Sequence, residues 1–486
     1  MKTVSKAVLL LLALVALSVL LVVTLRVGPV PSLDVRGESK AIGSRTAVVV
    51  VESAEGRGLA GLRVEVEQAG VTHVVARRTH RPLPPWALPD REAEKDELRV
   101  EVGRVAVPAL VEGEAVVRVV AERAPTWLRH PDPVARELRL PVRLVPPSLS
   151  LLSSQHYVAQ GGSGVVLYRV GPTATRDGVR AGDWYFPGTP LPGGGKEDRL
   201  ALFGVPWDLA DGARLRIVAE DDAGNEAEVA FVDRYFPRPP ARDRIGLEDA
   251  FLAKVVTEIR QQTPGLEDRG SLLENYLLIN RDLRKRNAAE LASLAPRSAG
   301  TFLWTEPFLP LRNAKVMSSF ADHRTYVYQG REVDEQTHLG FDLAAVARTP
   351  VPAANRGVVV LARYFGIYGN SVLVDHGLGL FTLYSHLSSI EVKEGQPVER
   401  GALIGRTGAT GLAGGDHLHF TTLVRGLPVN PLEWWDAGWI RDRVASKTGP
   451  TVLAFAAPAA ADAGRRAQPA SRQRSERGAG RHTRKK

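Results

Sequence analysis

The pattern of apolar and polar positions divides the chain into regions of different period. The first region, Ala7 to Leu25, is an unbroken apolar run that follows Lys2 and Lys6. A helix of this length would span about 28 Å, close to the roughly 30 Å of a bilayer's hydrocarbon layer. We therefore predict an N-terminal membrane anchor over residues 1–28. A cleaved signal peptide is the alternative, although the run is long and shows no clear small-residue cleavage site.

Beyond the apolar run, the chain alternates apolar and polar residues in short segments separated by Gly and Pro. A period of two indicates β-strands with one buried face. The alternation predicts a β-sandwich-like module at residues 33–146 and a second, immunoglobulin-like β module at residues 147–237. The second module ends in two alternating runs around an Asp-Asp-Ala-Gly-Asn turn at residues 221–225, which is typical of a hairpin.

A helical period replaces this alternation after the Pro-rich break at residues 237–240. Apolar residues at 247–259 recur every three or four positions, and Ser271-Leu-Leu-Glu274 has the pattern of a capping box. We predict a helical spacer at residues 244–297 and interpret its charged stretch, residues 280–287, as a solvated face. The sequence leaves open whether these helices inhibit the site considered below.

Short strands and Gly-rich turns return in residues 298–440. The predicted fold class is therefore mostly β, with two N-terminal β-sandwich modules, a helical spacer and a C-terminal antiparallel β domain. Residues 446–486 are rich in Ala, Pro, Arg and Ser and contain few large apolar residues. We predict that they form a disordered basic tail.

The distribution of charge argues against one class of partner. The formal net charge is +9, but the basic tail alone carries ten Lys and Arg against two Asp and Glu, so the remainder is almost neutral. Nucleic-acid recognition needs a basic patch on the binding face, and we predict no nucleic-acid partner. The chain has no cysteine, so a metal would have to be held by histidine and carboxylate side chains.

Candidate chemistry is concentrated near the C-terminus. Five of the eleven histidines lie between residues 338 and 419, and four of these fall in three short motifs: His338-Leu-Gly-Phe-Asp342, Tyr384-Ser-His386 and His417-Leu-His419. Side chains two apart in a strand share a face, so His417 and His419 can reach one site. A bend at Gly340 would turn His338 and Asp342 towards a common metal. Two imidazoles and one carboxylate suit zinc with an open fourth position.

The strand around residues 381–387 leads to a related prediction. Thr382, Tyr384 and His386 share one parity, while Phe381, Leu383 and Leu387 share the other. We expect the polar parity to face a groove.

The histidine motifs, in this order, resemble those of the lysostaphin/LytM-type zinc endopeptidases, whose hallmarks are an early His-x-x-x-Asp and a late His-x-His. The resemblance covers residues 300–436. It also includes Ser318-Ser-Phe320, Thr349-Pro-Val351, Tyr368-Gly-Asn-Ser-Val-Leu-Val-Asp-His-Gly377, Val392-Lys-Glu-Gly-Gln-Pro-Val398 and Gly405-Arg-Thr-Gly408. One segment departs from the pattern, because Phe320-Ala-Asp-His-Arg324 stands where the family usually has Phe-Gly-x-Arg.

The resemblance implies a role for each motif. His338, Asp342 and His419 would bind one zinc ion per chain, and His386 and His417 would be the non-ligand histidines that assist catalysis. The implied fold is a compact antiparallel β structure with the site in a groove. The implied activity is that of a zinc endopeptidase, which hydrolyses peptide bonds of bacterial cell-wall peptidoglycan through metal-activated water.

The implied partners and the location follow from the same argument. The substrates would be the peptide stems or cross-links of peptidoglycan. Lys2 and Lys6 on the short N-terminal side indicate that this end stays in the cytoplasm. We therefore expect a single-pass protein of the cytoplasmic membrane, with its bulk in the periplasm or on the extracellular side. The two β modules are candidates for binding envelope proteins.

Two alternatives belong to other functional classes. One is a non-catalytic LytM-like module that binds the cell wall and activates other hydrolases. Such modules typically lose metal ligands, whereas all five positions are present here. The other is an envelope scaffold protein in which the β modules matter most.

Overall fold

The computed structural model describes residues 2–87, 91–239 and 241–455. The fold is mostly β, as predicted. It divides into two compact units. The first consists of Met1–Val158, Val165–Phe203 and Leu209–Pro237, and the second consists of Ala159–Gly164, Gly204–Asp208 and the chain from Arg238 onward.

Helix α1 (Lys2–Leu25) begins the chain and is long and apolar enough to cross a membrane. The strands that follow, up to the Pro-rich break, are β1 (Ser32–Gly37), β2 (Ala47–Gly56), β3 (Leu59–Gln68), β4 (Val71–Thr79), β5 (Arg91–Glu101), β6 (Gly113–Arg123), β7 (Val134–Val142), β8 (Leu149–Leu151), β9 (Tyr157–Ala159), β10 (Ser163–Val170), β11 (Ala174–Ala181), β12 (Trp184–Pro187), β13 (Thr189–Pro190), β14 (Asp198–Gly204), β15 (Leu215–Asp221), β16 (Glu226–Ala230) and β17 (Arg234–Phe236).

Two sheets built from β1 to β7 enclose one apolar core. Their strand orders are β1-β2-β5 and β4-β3-β6-β7, and the buried residues between them include Val48, Val50, Val64 and Val117. The next strands form sheets of order β13-β14-β10-β8 and β12-β11-β15-β16. The predicted hairpin is confirmed as the antiparallel pair β15–β16. The likeness of these modules to immunoglobulin domains stays a prediction.

The helical period predicted after residue 240 is confirmed. Three helices follow the strand β18 (Ala241–Leu247): α2 (Asp249–Gln262), α3 (Leu272–Leu278) and α4 (Arg284–Leu294), with a π-helical turn, Ile279–Leu283, between the last two. Helix α2 buries the apolar stripe Leu252, Val255, Val256 and Ile259. At the start of α3, the backbone N–H of Glu274 donates to Ser271 Oγ at 3.1 Å, which is half of the expected capping box.

These helices share a core with the strands that follow them. Leu252 and Ile259 of α2 and Tyr276 of α3 lie in one buried cluster with Tyr326 and Ile367. The helices are therefore part of the second compact unit. The boundary at residue 298, drawn from the sequence between spacer and peptidase domain, stays a prediction.

The interpretation of residues 280–287 as a solvated face is wrong for several of its members. Asn280, Leu283 and Asn287 are buried. The two amides have partners that make their burial tolerable, because Asn280 Nδ2 donates to Asp334 Oδ2 at 2.7 Å and Asn287 Oδ1 accepts from a backbone N–H at 3.1 Å.

The remaining strands are β19 (Lys315–Ser318), β20 (Asp322–Tyr328), β21 (Arg331–His338), β22 (Phe341–Ala344), β23 (Pro350–Pro352), β24 (Gly357–Tyr364), β25 (Asn370–Asp375), β26 (Leu380–Ser385), β27 (Ser389–Ile390), β28 (Pro397–Val398), β29 (Leu403–Arg406), β30 (Leu418–Val424) and β31 (Leu427–Val429). The largest sheet has the order β19-β22-β30-β26-β25-β24-β28, with β31 paired to β30. A three-stranded sheet, β18-β20-β21, contains the parallel pair β18–β20.

Short helices close the described chain: α5 (Pro431–Trp435), α6 (Ala437–Ile440) and α7 (Ser446–Thr448), with a π-helical turn at Arg441–Ala445. The beginning of the predicted disordered tail is thus ordered, and Thr448 and Leu453 are buried there. Most of that tail, residues 456–486, lies outside the described residues.

Candidate metal centre and active site

Three neighbouring strand segments bring the predicted metal ligands together. His338 is the last residue of β21, Asp342 lies in β22, and His419 lies in β30 directly opposite Asp342 in the antiparallel register. Gly340, where a bend was expected, passes so close to His419 that a Cβ atom there would lie 2.7 Å from the imidazole. Only glycine allows this approach of backbone to ring.

The three side chains point their donor atoms at one another. His338 Nε2 lies 3.0 Å from Asp342 Oδ1 and 3.0 Å from His419 Nδ1, and His419 Nδ1 lies 2.9 Å from the same carboxylate oxygen. Both histidines are buried, and the carboxylate is mostly buried. Among the described residues, this trio is the group that could hold a metal ion.

The outer nitrogen of each ring has a partner that sets its tautomer. His338 Nδ1 lies 3.0 Å from the Ser319 carbonyl oxygen, which can only accept, so this nitrogen carries the proton. His419 Nε2 lies 3.0 Å from Thr421 Oγ1, whose hydroxyl donates to the Leu339 carbonyl at 3.1 Å. The nitrogen lone pairs therefore face each other beside a carboxylate oxygen. Three acceptors converging on one point fit a cation.

The second oxygen of Asp342 is held by Arg324, whose Nη2 donates to Oδ2 at 2.7 Å. Burial raises the pKa of Asp342, but the imidazoles of His338, His417 and His419, which donate to the carboxylate when their rings are protonated, outweigh it and hold the pKa well below its usual value. The segment that departs from the family pattern is thus part of the site. Its Ala321 adopts the left-handed φ of 63°, which favours the glycine usual in the family.

The other two predicted site histidines stand beside this cluster. Each has its Nδ1 against a backbone carbonyl oxygen, His386 at 2.8 Å from Thr410 and His417 at 2.8 Å from Gly415. Nε2 is therefore the nitrogen with a lone pair when these rings are neutral. His417 Nε2 lies 3.5 Å from Asp342 Oδ1, and the His386 and His417 ring centroids are 4.9 Å apart.

The expectation that alternate residues of β26 face the groove is wrong for two of three. Thr382 and Tyr384 are buried away from it: the Thr382 hydroxyl lies 2.7 Å from His376 Nε2 and 2.9 Å from the Tyr384 hydroxyl. His386 follows the last residue of the strand and has a left-handed φ of 63°. This turn, rather than strand alternation, aims its ring at the metal ligands.

A cavity of about 350 Å³ opens onto the cluster. One side is formed by the five predicted site residues and by Tyr368, whose ring centroid lies 5.8 Å from that of His419. The other side is formed by residues of β18, the helices and β20, namely Ile245, Gly246, Phe251, Tyr276, Arg284, Arg324 and Tyr326. The helical segment therefore forms a wall of the cavity.

Residues 336–431 match the model of Peptidase family M23. The three predicted metal ligands and the two flanking histidines all lie within this range. The C-terminal part of the chain carries a peptidase M23 domain. The family resemblance predicted from the sequence is confirmed.

Relatives of the M23 domain include proteins named as endopeptidases. The domain is 47% identical over 96 residues to the Peptidoglycan DD-endopeptidase ShyA of Vibrio cholerae, a match that covers 20% of this chain and 22% of the relative. It is 44% identical over 95 residues to the DD-carboxypeptidase/endopeptidase Mpg of Neisseria meningitidis, again covering 20% of this chain and 22% of the relative. The chain thus spans about a fifth of the length of these relatives.

Solved structures of peptidases also match. A putative peptidase M23 from Pseudomonas aeruginosa is 22% identical with a TM-score of 0.34, and the match covers 57% of this chain and 94% of that one. The catalytic domain of lysostaphin from Staphylococcus simulans is 24% identical with a TM-score of 0.20, over 30% of this chain and 96% of that one.

Several residues around the M23 site were missed from the sequence. Thr421 could have been found, because it follows His419 by two positions and shares its strand face. Tyr276 and Arg284 have no local pattern that connects them to the histidine motifs, since they belong to the helices that precede the domain.

Proposed function

We propose that this chain is a zinc-dependent endopeptidase that hydrolyses peptide bonds of bacterial cell-wall peptidoglycan. His338, Asp342 and His419 would hold the zinc ion, and His386 and His417 would handle protons. The observation that carries the proposal is the convergence of three acceptor atoms, each within 3.0 Å of the others, at the edge of a cavity. Peptidoglycan as the substrate is supported by the similarity to the Peptidoglycan DD-endopeptidase ShyA.

The metal ligands and the two flanking histidines would have different roles in hydrolysis. A zinc ion held by the three ligands would supply Lewis-acid chemistry, polarising the scissile carbonyl and lowering the pKa of water to around 7. His386 or His417, neutral and with its Nδ1 fixed on a carbonyl, accepts a proton from water at Nε2. Water adds to the carbonyl carbon, the C–N bond breaks, and the imidazolium returns the proton to the leaving nitrogen.

The complete ligand set favours this proposal over a non-catalytic binding module. A module that only binds the cell wall needs neither converging metal donors nor two further imidazoles with free Nε2 atoms. The buried cluster would also be costly to maintain without a cation, because buried lone pairs that face one another satisfy no hydrogen bond.

Two single substitutions test the assignment in the full-length chain. We expect His419→Ala to lose zinc, measured by metal analysis after dialysis, because it removes a ligand. We expect His417→Ala to retain zinc but to lose at least about 100-fold in the rate of muropeptide release from purified peptidoglycan, the scale of general acid–base catalysis. Equal zinc loss in both variants would contradict the assignment, and an inert, metal-free wild-type chain would refute the enzyme proposal.

We also propose that α1 stays attached as a single-pass anchor in the cytoplasmic membrane, with the bulk of the chain in the periplasm or outside the cell. Hydrogen bonds join the C-terminal end of α1 to the β module that follows it. Thr126 Oγ1 donates to the Thr24 carbonyl at 2.8 Å, and Arg26 Nη1 donates to the carbonyls of Pro85 and Ala87 at 3.0 and 2.6 Å.

Large apolar side chains surround this fastening point. Trp86 is 65% exposed, Trp127 is 67% exposed and Leu128 is 62% exposed, and all three belong to the two loops that bind the end of α1. Tryptophan is enriched at membrane–water interfaces, where its ring meets both apolar chains and polar headgroups. The loops are therefore suited to rest on the membrane that α1 crosses.

A further inference from the structure

The lining of the cavity carries a net positive charge. Among the side chains that line the cavity, Arg284 and Arg324 carry positive charge, and Asp342 is the acidic group. The ion pair between Arg324 and Asp342 leaves the Arg284 charge without a counterpart in this lining. A cavity with an excess of positive charge and apolar walls attracts an anionic group.

Arg284 is held in place without being neutralised. Its Nε donates to the Asn280 carbonyl at 3.1 Å, and its Nη2 donates to Asn280 Oδ1 at 2.6 Å. Asn280 is itself fully buried and bound to Asp334. Within the described part of the chain, no carboxylate lies within ion-pair distance of Arg284, whereas its neighbour Arg281 pairs with Asp334 at 2.8 Å. The guanidinium is thus oriented, and Nη1 is left for a ligand.

Tyr276 supplies a second donor that has no partner. Its side chain is fully buried between Phe251 and Tyr326, with ring centroids 6.3 and 6.1 Å away, and its hydroxyl has no hydrogen-bond partner among the described residues. A buried hydroxyl without a partner destabilises a fold, because its lost hydrogen bond with water is not replaced. Such a group in a cavity wall points to a ligand that satisfies it.

Tyr276 lines the same cavity as Arg284 and Arg324, and the charges of both guanidinium groups act on its hydroxyl. Burial raises the pKa of Tyr276, Tyr326 and Asp334 add to the rise, and the positive charges of Arg284 and Arg324 oppose it. The phenol therefore remains a protonated donor at neutral pH. Arg324 Nε, also buried, has no partner among the described residues. Tyr276, Arg284 and Arg324 thus each bring a donor to the lining of one cavity.

We propose that Arg284 and Tyr276 bind a carboxylate of the peptide substrate, so that the enzyme prefers peptides with a free carboxylate beside the bond it cuts. This specificity rests on the proposed peptidase function. A carboxylate is planar, and its two oxygens match the fork of a guanidinium, while the tyrosine hydroxyl donates to a remaining lone pair. The residues that select the substrate lie outside the M23 match, in the helical wall.

The test compares a peptide acid with its amide. Acetyl-D-alanyl-D-alanine and its C-terminal amide differ in the one charge that Arg284 would recognise. Calorimetry measures the binding of each peptide to the full-length chain in detergent, with and without zinc. The comparison of the two states distinguishes binding of the carboxylate to Arg284 and Tyr276 from its direct binding to the metal. For the wild type, we expect the acid to bind at least about tenfold more tightly in both states, the scale of one charge-assisted pair.

Single substitutions test whether Arg284 and Tyr276 cause the preference for the acid over the amide. Arg284→Gln should reduce the difference between acid and amide to less than about twofold, and Tyr276→Phe should reduce it in part, since each removes a donor at a cost of about 1 kcal/mol or more. Arg286→Gln is the matched control, because it removes the same charge two residues away, at an exposed position of α4 that does not line the cavity. The thermal unfolding midpoint of each variant checks that the fold persists.

The outcomes separate this proposal from the peptidase proposal. Equal binding of acid and amide by the wild type, no binding of either, or a preference that survives Arg284→Gln overturns the carboxylate site. Hydrolysis of peptidoglycan by the same preparation would then leave the peptidase function standing. A preference for the acid in a chain that neither binds zinc nor hydrolyses peptidoglycan would retain the carboxylate site and refute the peptidase function.

Discussion

Thr421 fixes the orientation of a metal ligand through one hydrogen bond. Its Oγ1 accepts from His419 Nε2 at 3.0 Å and so leaves Nδ1 free to face the cluster. We expect Thr421→Val, which preserves the shape of the side chain, to weaken zinc affinity about 10- to 100-fold, the usual effect of losing such a partner. Competition with a fluorescent zinc chelator measures the change.

The neighbouring residue provides the control. Thr422 is equally buried, points to the other face of β30, and has a hydroxyl without a hydrogen-bond partner among the described residues. Thr422→Val removes the same group but should leave zinc affinity unchanged. Comparable losses from both substitutions would show that strand packing, rather than the bond to His419, controls the site.

His376 makes stability depend on pH. Burial lowers its pKa from 6.5 to about 4, against the opposing effect of the hydrogen bond with the Arg356 carbonyl. Between pH 6.5 and 4, His376 is protonated in the unfolded state but stays neutral in the folded state. The stability that is present above pH 6.5 is therefore lost as the pH falls towards 4. We expect up to about 3 kcal/mol of unfolding free energy to disappear over that interval, since each pKa unit corresponds to about 1.4 kcal/mol.

Denaturant unfolding of the C-terminal unit at several pH values gives the slope of its unfolding free energy against pH. The slope should be reduced in His376→Gln, whatever that substitution does to stability at neutral pH. His323→Gln removes a histidine that is 35% exposed in the same unit and should preserve most of the slope. An unchanged pH dependence in His376→Gln would contradict the assignment.

At the scale of elements, the helices and the M23 strands depend on one core. Tyr326 and Ile367 are covered by residues of α2 and α3. We expect a fragment of residues 298–440 to expose these side chains and therefore to bind a hydrophobic dye and unfold at a lower temperature than the C-terminal unit of the full-length chain. A fragment that begins at residue 238 retains the helices and is the comparison; equal midpoints for the two fragments would contradict the shared core.

The sequence was most informative where function or folding depends on short spacings. His338 with Asp342, and His417 with His419, are each separated by a few residues in a strand or tight turn, so their convergence could be predicted locally. The apolar stripe of α2 and the cap at Ser271 were likewise local. The position of α2 and α3 over the site could not be predicted, because contacts between Tyr276 and Tyr326 join residues fifty positions apart and leave no periodic pattern.

For the whole molecule, the location of the chain depends on α1 and the two loops fastened to it. We expect Trp86 and Trp127 to contact lipid when the full-length chain is reconstituted in vesicles. Lipids brominated near the headgroup should then quench part of the tryptophan fluorescence, and this part should vanish when both residues are replaced by phenylalanine. Trp184→Phe, a change in the second β module, is the control. Quenching that is unaffected by the double substitution would contradict contact of these loops with the membrane.

The helical wall has a consequence for what similarity can reveal about this protein. The residues proposed for hydrolysis lie within 336–431, whereas Tyr276 and Arg284 precede that range. The two sets of residues lie in separate stretches of the chain, so a substitution in the helices can change which peptide is bound while the residues proposed for hydrolysis stay the same. The determinants of peptide selectivity are therefore to be sought in the helices that precede the M23 domain as well as within it.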